Sequence, residues 1–482
     1  MSDLLKEFDP LSQDSNTQEI PEPNTNTTEN SKSNTNDNDN NSITSETKSS
    51  LTKKPDDRQD EYFFDFQVFI NDFKEPNAEP LVKYTRSFLN NFVTQKALWT
   101  ASEQQKLIND FKLFIFEKFN QFKPFNEFNK VKLRNSQEGI EKLIMGKLYP
   151  LCFSPELLRK MPIDKLDEEH KNDILEDGFL QEKIDEYAFI ELDNLDVNKK
   201  ISLKLGKFLK LAGKELNKIN QFKAPRDKMV CILNTCKIIF SILKHSKLEQ
   251  DGADSFIPLL IYVIIHGNIQ HLISNIRFIE RFRYERFLKS EDQYYLSSLQ
   301  GATNFIANLS KKDLAISNDE VYEKTYNDNQ IRVNEKKKQE IELGKKGNVQ
   351  NEDIAITNDQ EYSYNPIDEI ASSMVSMFND FFIGQPATTT KIEPQGKPTL
   401  TTVATETSTS MPPNTNISSE SMTNDRKIRK AVKKMEEQEQ QETLEALYDM
   451  FPDLPRELIE DICIAKKYRT GVCVDTLLNL YE

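Results

Sequence analysis

The chain has 482 residues, of which 37% are hydrophobic and 29% charged, and its formal net charge is −15. That length allows two or three domains, and the acidic balance argues against a nucleic-acid-binding protein, because phosphate contacts require clustered lysine and arginine. The five cysteines are scattered through the chain, which favours reduced thiols in a cytoplasmic protein over a disulfide framework.

The N-terminal tail is predicted to be disordered. Residues 11–59 are rich in Asn, Thr, Ser and acidic side chains and nearly devoid of apolar ones, so this segment cannot bury enough surface to offset the entropy of ordering it. The first ten residues lack the basic start and apolar stretch of a signal peptide. The longest apolar run, Phe256 to Ile265, is shorter than the roughly 20 residues that cross a bilayer. We therefore predict no transmembrane segment.

A long helical region follows, in which apolar residues recur at helical spacing from Tyr62 to about Ser310. No Asn-Gly or Asp-Gly hairpin turn separates alternating strands there. We predict an all-α fold, with a helical bundle at 61–175 packed on an all-helical core at 176–310. One helix shows the i, i+3, i+4, i+7 spacing of a well-buried element most clearly: Met229, Ile232, Leu233, Cys236, Ile239, Phe240 and Leu243.

The composition becomes polar again at 311–435, where a mixed-charge block and a Thr, Ser and Pro tract predict a disordered linker. An amphipathic helix is predicted inside it at 366–383, with Asn365 as N-cap and Pro366 at the first position. We expect this helix to dock on the preceding core; a transient helix without a partner is the alternative. Its apolar face consists of Ile367, Ile370, Ala371, Met374, Val375, Phe378, Phe381 and Phe382.

The C-terminal unit, residues 438–482, shows the signals of three short amphipathic helices. The first runs from Leu444 to Met450, Asp453 and Pro455 open the second, and the third starts at about Val474. These signals alone predict a small three-helix module, which needs no partner to account for it.

Metal and nucleotide chemistry have no motif in this sequence. The four histidines are isolated, and Cys231 and Cys236 lie within one apolar helix without a second ligand pair, so buried structural thiols are favoured. The phosphate-binding motifs G-x-x-x-x-G-K-[ST] and G-x-G-x-x-G do not occur, and the chain has only 13 glycines. We therefore predict no metal and no cofactor, and a binding protein rather than an enzyme with covalent chemistry.

Two stretches, Ala224–Asn268 and Arg277–Leu309, contain the candidate functional residues. On local grounds Asp254 is a plausible N-cap for a helix that starts ahead of Phe256. Tyr295 equally suits a core aromatic. Both residues therefore have structural interpretations that require no function.

The same two stretches resemble the catalytic core of the vacuolar-protein-sorting-nine (Vps-nine) family, guanine-nucleotide exchange factors for Rab-five-type GTPases. The resemblance covers about Phe63 to Leu309, with the upstream helices similar to the bundle that buttresses this core. The matching motifs are Ala-Pro-Arg-Asp-Lys at 224–228, Asn-Thr-Cys-Lys at 234–237, Ala-Asp-x-x-x-Pro at 253–258 and Tyr-Tyr-Leu-Ser-Ser at 294–298.

The resemblance implies a role for each matched residue. Asp254 would be an acidic finger that competes for the phosphate-loop lysine of the GTPase and disfavours its Mg²⁺–phosphate arrangement. Pro258 would shape the contact surface, and Tyr295 would engage a switch region. Phe256 would help to form a groove for switch side chains. A hydroxyl contact in the family corresponds to Ser297 or Ser298, and the sequence does not choose between them.

Residues 438–482 resemble a CUE domain along their whole length. Met450-Phe451-Pro452 matches the motif after the first helix of that family, and Leu477-Leu478 matches the paired leucines of its third helix. The resemblance implies that these two sites form one apolar surface for ubiquitin, with an affinity of about micromolar or weaker.

The two resemblances therefore imply an exchange factor that binds a Rab-five-type GTPase in its GDP-bound and nucleotide-free states. They also imply that the protein binds ubiquitin or ubiquitinated cargo. It would act in endosomal and vacuolar protein sorting, as a cytoplasmic protein recruited peripherally to endosomes. One alternative is a ubiquitin-binding endosomal adaptor without exchange activity, against which Asp254, Pro258 and Tyr295 argue; a purely structural helical scaffold is another. The predicted organisation is a tail at 1–60, the bundle at 61–175, the exchange core at 176–310, the linker at 311–435 and the CUE domain at 438–482.

Overall fold

The computed structural model describes residues 63–94, 99–197, 199–245, 252–348, 434 and 437–480. The predicted all-α class is confirmed, since the described residues contain helices and no strand. None of those helices is long and apolar enough to cross a bilayer. In chain order they are α1 (Phe66–Phe73), α2 (Glu79–Thr94), α3 (Ala101–Phe119), α4 (Lys130–Cys152), α5 (Ser154–Leu158), α6 (Glu168–Glu186), α7 (Lys199–Asn217), α8 (Pro225–His245), α9 (Gly252–His266), α10 (Leu272–Phe282), α11 (Ser290–Ala307), α12 (Asp319–Asn348), α13 (437–450), α14 (Arg456–Ala465) and α15 (Thr470–Leu480).

An aromatic cluster holds the first four helices together. The rings of Phe88 in α2 and Phe111 in α3 stack with centroids 4.0 Å apart and planes 2° apart. Helix α3 starts at a capping box formed by Thr100 and Glu103, which satisfies backbone donors that a helix start otherwise leaves unpaired. Phe278 and Phe282 of α10 belong to the same buried cluster, so α10 joins this bundle to the helices that follow.

Helix α8 lies at the centre of the second cluster. Most of its predicted apolar face is buried, and Leu233 and Phe240 are partly buried. The buried residues of that face are Met229, Ile232, Cys236, Ile239 and Leu243. Helices α7, α9, α10 and α11 all pack on α8. This arrangement confirms the helix that the apolar spacing predicted, and it places α9 and α11 side by side.

Buried charges also tie the bundle to this core. Arg283, just after α10, donates to Glu141 of α4 over 2.7 Å, and the backbone N–H of Tyr284 donates to the same carboxylate over 2.8 Å. Lys112 of α3 lies 3.3 Å from Glu141 as well. Burial would raise the pKa of Glu141, but Lys112 and Arg283 outweigh it and hold that pKa below its usual value. Losing one member would leave an uncompensated buried charge.

Helix α12 lies where the sequence predicted the start of a disordered linker. Its first half packs on α6: the Tyr326 hydroxyl donates to Glu186 over 2.8 Å. The Asn329 side chain donates to the carbonyl oxygens of Asp185 and Glu186 over 3.0 and 2.9 Å. The side chains that join α12 to α6 are polar, so the helix has no apolar stripe for periodicity to detect; they are those of Tyr326, Asn329, Gln330 and Lys337. The predicted helix at 366–383 and the tail at 1–60 lie outside the described residues.

The C-terminal helices α13 to α15 confirm the predicted three-helix module, although the third helix begins at Thr470 rather than at Val474. The module is packed against α7 and α8, and its apolar side chains belong to the same buried cluster as those of α8 to α11.

Candidate functional site

The N-terminal turn of α9 carries the predicted acidic residue. The helix begins at Gly252, so Asp254 lies inside the first turn and not at the N-cap where local reasoning placed it. A carboxylate in this turn is favoured by the positive end of the helix dipole. Pro258 lies within α9 and is partly exposed. Because proline has no N–H, the carbonyl oxygen of Asp254 loses its usual helical partner. The side chain of Asp254 lies outside the described part of the chain.

Phe256 does not line an open groove. Its side chain is 0% exposed, and its ring stacks on Phe240 of α8 with centroids 4.2 Å apart. Tyr295 of α11 closes the cluster, with its centroid 5.7 Å from Phe240 and 6.3 Å from Phe256. Phe256 therefore faces inward, between α8 and α11, and holds the start of α9 against them.

Helix α11 divides its Tyr-Tyr-Leu-Ser-Ser motif between two faces. Tyr295 and Ser298 point inward and are 6% and 8% exposed. Tyr294 is 51% exposed, and Ser297 is exposed on the same face, because residues three apart are neighbours on a helix surface. Of the two serines that the sequence could not separate, Ser297 is the accessible one.

The Tyr295 hydroxyl is fixed by a hydrogen bond within its own helix. It donates to Glu291 of the preceding turn over 3.2 Å, and the ammonium of Lys237 in α8 lies 3.7 Å from the same carboxylate. Burial and the adjacent Glu291 carboxylate raise the pKa of the Tyr295 phenol well above its usual value. The phenol therefore stays protonated at neutral pH and can donate a hydrogen bond.

Sequence reasoning named Tyr294, Phe240 and Lys237 within motifs or a buried helix but gave none of them a role in the site. A helical projection of α11 could have found Tyr294, because Tyr295, Leu299 and Ala302 form the buried stripe and Tyr294 falls beside it. Phe240 and Lys237 belong to another helix, and only the packing of α8 against α11 shows that they contact the site.

The C-terminal candidate residues have very different exposures. Phe451 is 2% exposed, and its ring meets that of Phe208 in α7 edge-on, with centroids 5.9 Å apart. Leu477 is fully buried. Met450 and Leu478 are half-buried against the shared cluster, and Pro452 is exposed.

No group of His, Cys, Asp and Glu in the described ranges could hold a metal ion. All five cysteines are free and buried, as predicted for Cys231 and Cys236. Burial raises the pKa of the Cys236 thiol, which disfavours the thiolate that metals and electrophiles require.

Comparison with known families matches three parts of the chain. The vacuolar sorting protein 9 (VPS9) domain matches residues 209–311, and the CUE domain matches residues 440–480. The chain contains a VPS9 domain and a CUE domain. A domain of unknown function matches residues 83–149, within the helical bundle. The VPS9 match runs from α7 through α11, so it includes every residue of the site around Phe256.

Curated relatives share about half of this chain. Vacuolar protein sorting-associated protein vps901 of Schizosaccharomyces pombe is 42% identical over 261 residues, which are 54% of this chain and 44% of that protein. Vacuolar protein sorting-associated protein 9A of Arabidopsis thaliana is 29% identical over 279 residues, covering 56% and 49%. The human Rab5 GDP/GTP exchange factor is 28% identical over 274 residues, covering 56% and 52%. The chain therefore spans about half the length of these relatives.

Proposed function

We propose that this chain is a guanine-nucleotide exchange factor that promotes GDP release from Rab-five-type GTPases in endosomal and vacuolar protein sorting. The VPS9 domain match over α7 to α11 supports this proposal most strongly. Relatives named Rab5 GDP/GTP exchange factor, from mouse, human and cattle, support the choice of GTPase.

The proposed exchange site is the first turn of α9 together with the exposed face of α11. A GTPase holds GDP through its phosphates, a lysine and Mg²⁺. The Asp254 carboxylate would enter that site, pair with the lysine and repel the phosphates. Because charge competition requires a fixed carboxylate, the Phe256–Phe240 stack beneath the same helix start has a role in positioning it.

The face of α11 would bind the switch regions of the GTPase. Tyr294 and Ser297 are accessible there, whereas the side chain of Tyr295 is buried. We propose that Ser297 makes the hydroxyl contact with the GTPase. Tyr294 would contribute to the switch-region contact that the resemblance assigned to Tyr295 alone. Ser298 and Phe256 then support the surface from within, and Pro258 shapes the turn next to Asp254.

The second proposed activity is ubiquitin binding by the CUE domain. The match over residues 440–480 supports it, and the candidate surface comprises Met450, Phe451, Pro452, Leu477 and Leu478. Binding to ubiquitinated cargo would recruit the protein to endosomes.

A nucleotide-release assay tests the exchange activity. A Rab-five-type GTPase loaded with a fluorescent GDP analogue should release it faster when the full chain and excess GTP are added. A Rab of another class, treated identically, is the specificity control. If the chain accelerates release from neither GTPase but binds ubiquitin, the protein is the inactive adaptor and the exchange proposal is wrong.

A further inference from the structure

The C-terminal module, helices α13 to α15, is packed on the VPS9 domain. One close approach is at Gly471, in the first turn of α15. A Cβ atom added there would lie 3.0 Å from the carbonyl oxygen of Asn234 and 3.1 Å from its Cα. An added Cβ atom would be tighter against this backbone than nearly all Cβ contacts in proteins, so the close approach of the two helices favours a residue without a side chain. The sequence of α15 is therefore fitted to the surface of α8.

Polar pairs continue this contact along the two helices. The Ser241 hydroxyl of α8 donates to Asp475 over 3.2 Å, and the Lys244 ammonium donates to Asn479 over 3.1 Å. Asp475 and Asn479 flank Leu477 and Leu478 in the sequence of α15. The helix that carries the paired leucines is thus held against α8; Leu477 belongs to the buried cluster that the two helices share, and Leu478 packs against it.

The other part of the proposed ubiquitin-binding surface lies against α7. Phe451 is buried under Phe208. Lys207 donates to both the backbone carbonyl oxygen and the carboxylate of Asp449, over 3.0 and 3.2 Å. The exposed ion pair adds little by itself, but it lies next to Met450. The two motifs that identify the ubiquitin-binding surface therefore lie in segments packed on α7 and α8.

We propose that the VPS9 domain and ubiquitin compete for one face of the CUE domain, so that ubiquitin binds only after the CUE domain leaves α7 and α8. This inference rests on the proposed ubiquitin binding. When only a fraction of a protein is in its binding-competent state, its apparent affinity falls by that fraction. The VPS9 domain thereby sets how much ubiquitin is needed for recruitment.

A reversible disulfide tests the competition in one protein. The Ser241 hydroxyl of α8 and the Asp475 carboxylate of α15 lie 3.2 Å apart across the contact, so Ser241→Cys with Asp475→Cys should bring two thiols within reach of each other and crosslink when oxidised. All native cysteines are buried. We expect the oxidised full chain to bind fluorescent monoubiquitin at least about tenfold more weakly than the same chain after reduction.

A second variant opens the contact without altering the CUE sequence. Ser241→Glu places a carboxylate opposite Asp475 and should expel α15, which hydrogen exchange of that helix would report. Its ubiquitin affinity should exceed that of the unmodified chain. Gly146→Ala is the matched control, because nothing lies within 4 Å of its added Cβ, and it should change neither measurement.

The outcomes separate the two proposals. Equal ubiquitin affinity in the oxidised, reduced and Ser241→Glu chains would overturn the competition and leave ubiquitin binding standing. Absence of binding in all of them, with α13 to α15 still protected from hydrogen exchange in the reduced chain, would overturn the ubiquitin-binding function itself and the competition with it.

Discussion

The ring of Phe256 in α9 stacks on that of Phe240 in α8 with centroids 4.2 Å apart and planes 16° apart. This stack lies two residues after Asp254 and fixes the start of α9 against the centre of the VPS9 domain. The position of the acidic residue is thus set by buried packing, whereas its proposed chemistry depends on the carboxylate. The two contributions can be measured separately.

Asp254→Ala should abolish the acceleration of GDP release and leave the fold intact. Removing one preorganised electrostatic group lowers catalytic rates by roughly a hundredfold, whereas losing a favourable first-turn carboxylate costs about 1 kcal/mol of stability or less. Nucleotide release and thermal unfolding of the same preparation are the measurements. Exchange at the unmodified rate would refute the role of Asp254.

Phe256→Ala, unlike Asp254→Ala, should act by destabilising the fold. Removing a fully buried aromatic ring lowers the free energy of unfolding by about 3–5 kcal/mol, which denaturant titration would show. Tyr294 is the comparison, since its ring stacks on Phe256 with centroids 6.2 Å apart but is half exposed: Tyr294→Ala should lower stability by only about 0.5–1.5 kcal/mol and should lower kcat/KM for exchange. A stable Phe256→Ala protein would show that the start of α9 is held by other contacts.

The sequence predicted the helices that have an apolar stripe, because burial of that stripe is what forms them. Helix α8 was found for this reason, and α12 was missed because Tyr326 and Asn329 join it to α6 by hydrogen bonds. Within the site, the motifs singled out Asp254 and Tyr295, and their functional roles stay predictions. The motifs could not tell that Phe256 faces inward or that Tyr294 faces outward, because orientation depends on how α9 and α11 turn toward α8. The docking of α15 on α8 joins parts of the chain more than 200 residues apart, and neither helix indicates the other.

Acidification should destabilise the protein below about pH 6.5 through His170. Its ring lies in a buried network, with Nδ1 2.8 Å from the Ser154 hydroxyl, which donates to Asp173 over 2.6 Å. Burial lowers the pKa of His170 below its ordinary value of 6.5, although Asp167, Asp173 and Glu169 oppose the shift while Arg281 adds to it. As pH falls through 6.5, the unfolded chain takes up a proton that the folded chain does not, so the free energy of unfolding decreases.

The free energy of unfolding should change by at most about 1.4 kcal/mol per pH unit through the titration of His170 alone. Denaturant unfolding between pH 7 and pH 5 measures it, with His170→Gln as the comparison, since glutamine cannot titrate. A slope that remains unchanged in His170→Gln would assign the acid sensitivity to other groups.

Helix α12 should contribute measurably to the stability of the helical core by supporting the end of α6. Asn329 satisfies two carbonyl oxygens at the end of α6, which a helix C-terminus otherwise leaves unpaired. Asn329→Ala should therefore lower the free energy of unfolding by about 1–3 kcal/mol. Asn327→Ala, on the exposed side of α12, is the control and should have little effect. Equal stability of the two variants would mean that α12 lies on α6 without supporting it.

The paired leucines of α15 should differ sharply in their effects on ubiquitin binding. Leu477 is fully buried and Leu478 is half-buried, so Leu477→Ala should destabilise the CUE domain by about 2–5 kcal/mol. Leu478→Ala should leave it folded and weaken ubiquitin binding, as should Met450→Asp, because a charge placed in an apolar contact loses its hydration without gaining a partner. Titration of labelled ubiquitin against the full chain, with hydrogen exchange of α13 to α15 to monitor folding, distinguishes these effects. Unchanged ubiquitin affinity in both Met450→Asp and Leu478→Ala would remove these residues from the ubiquitin-binding surface.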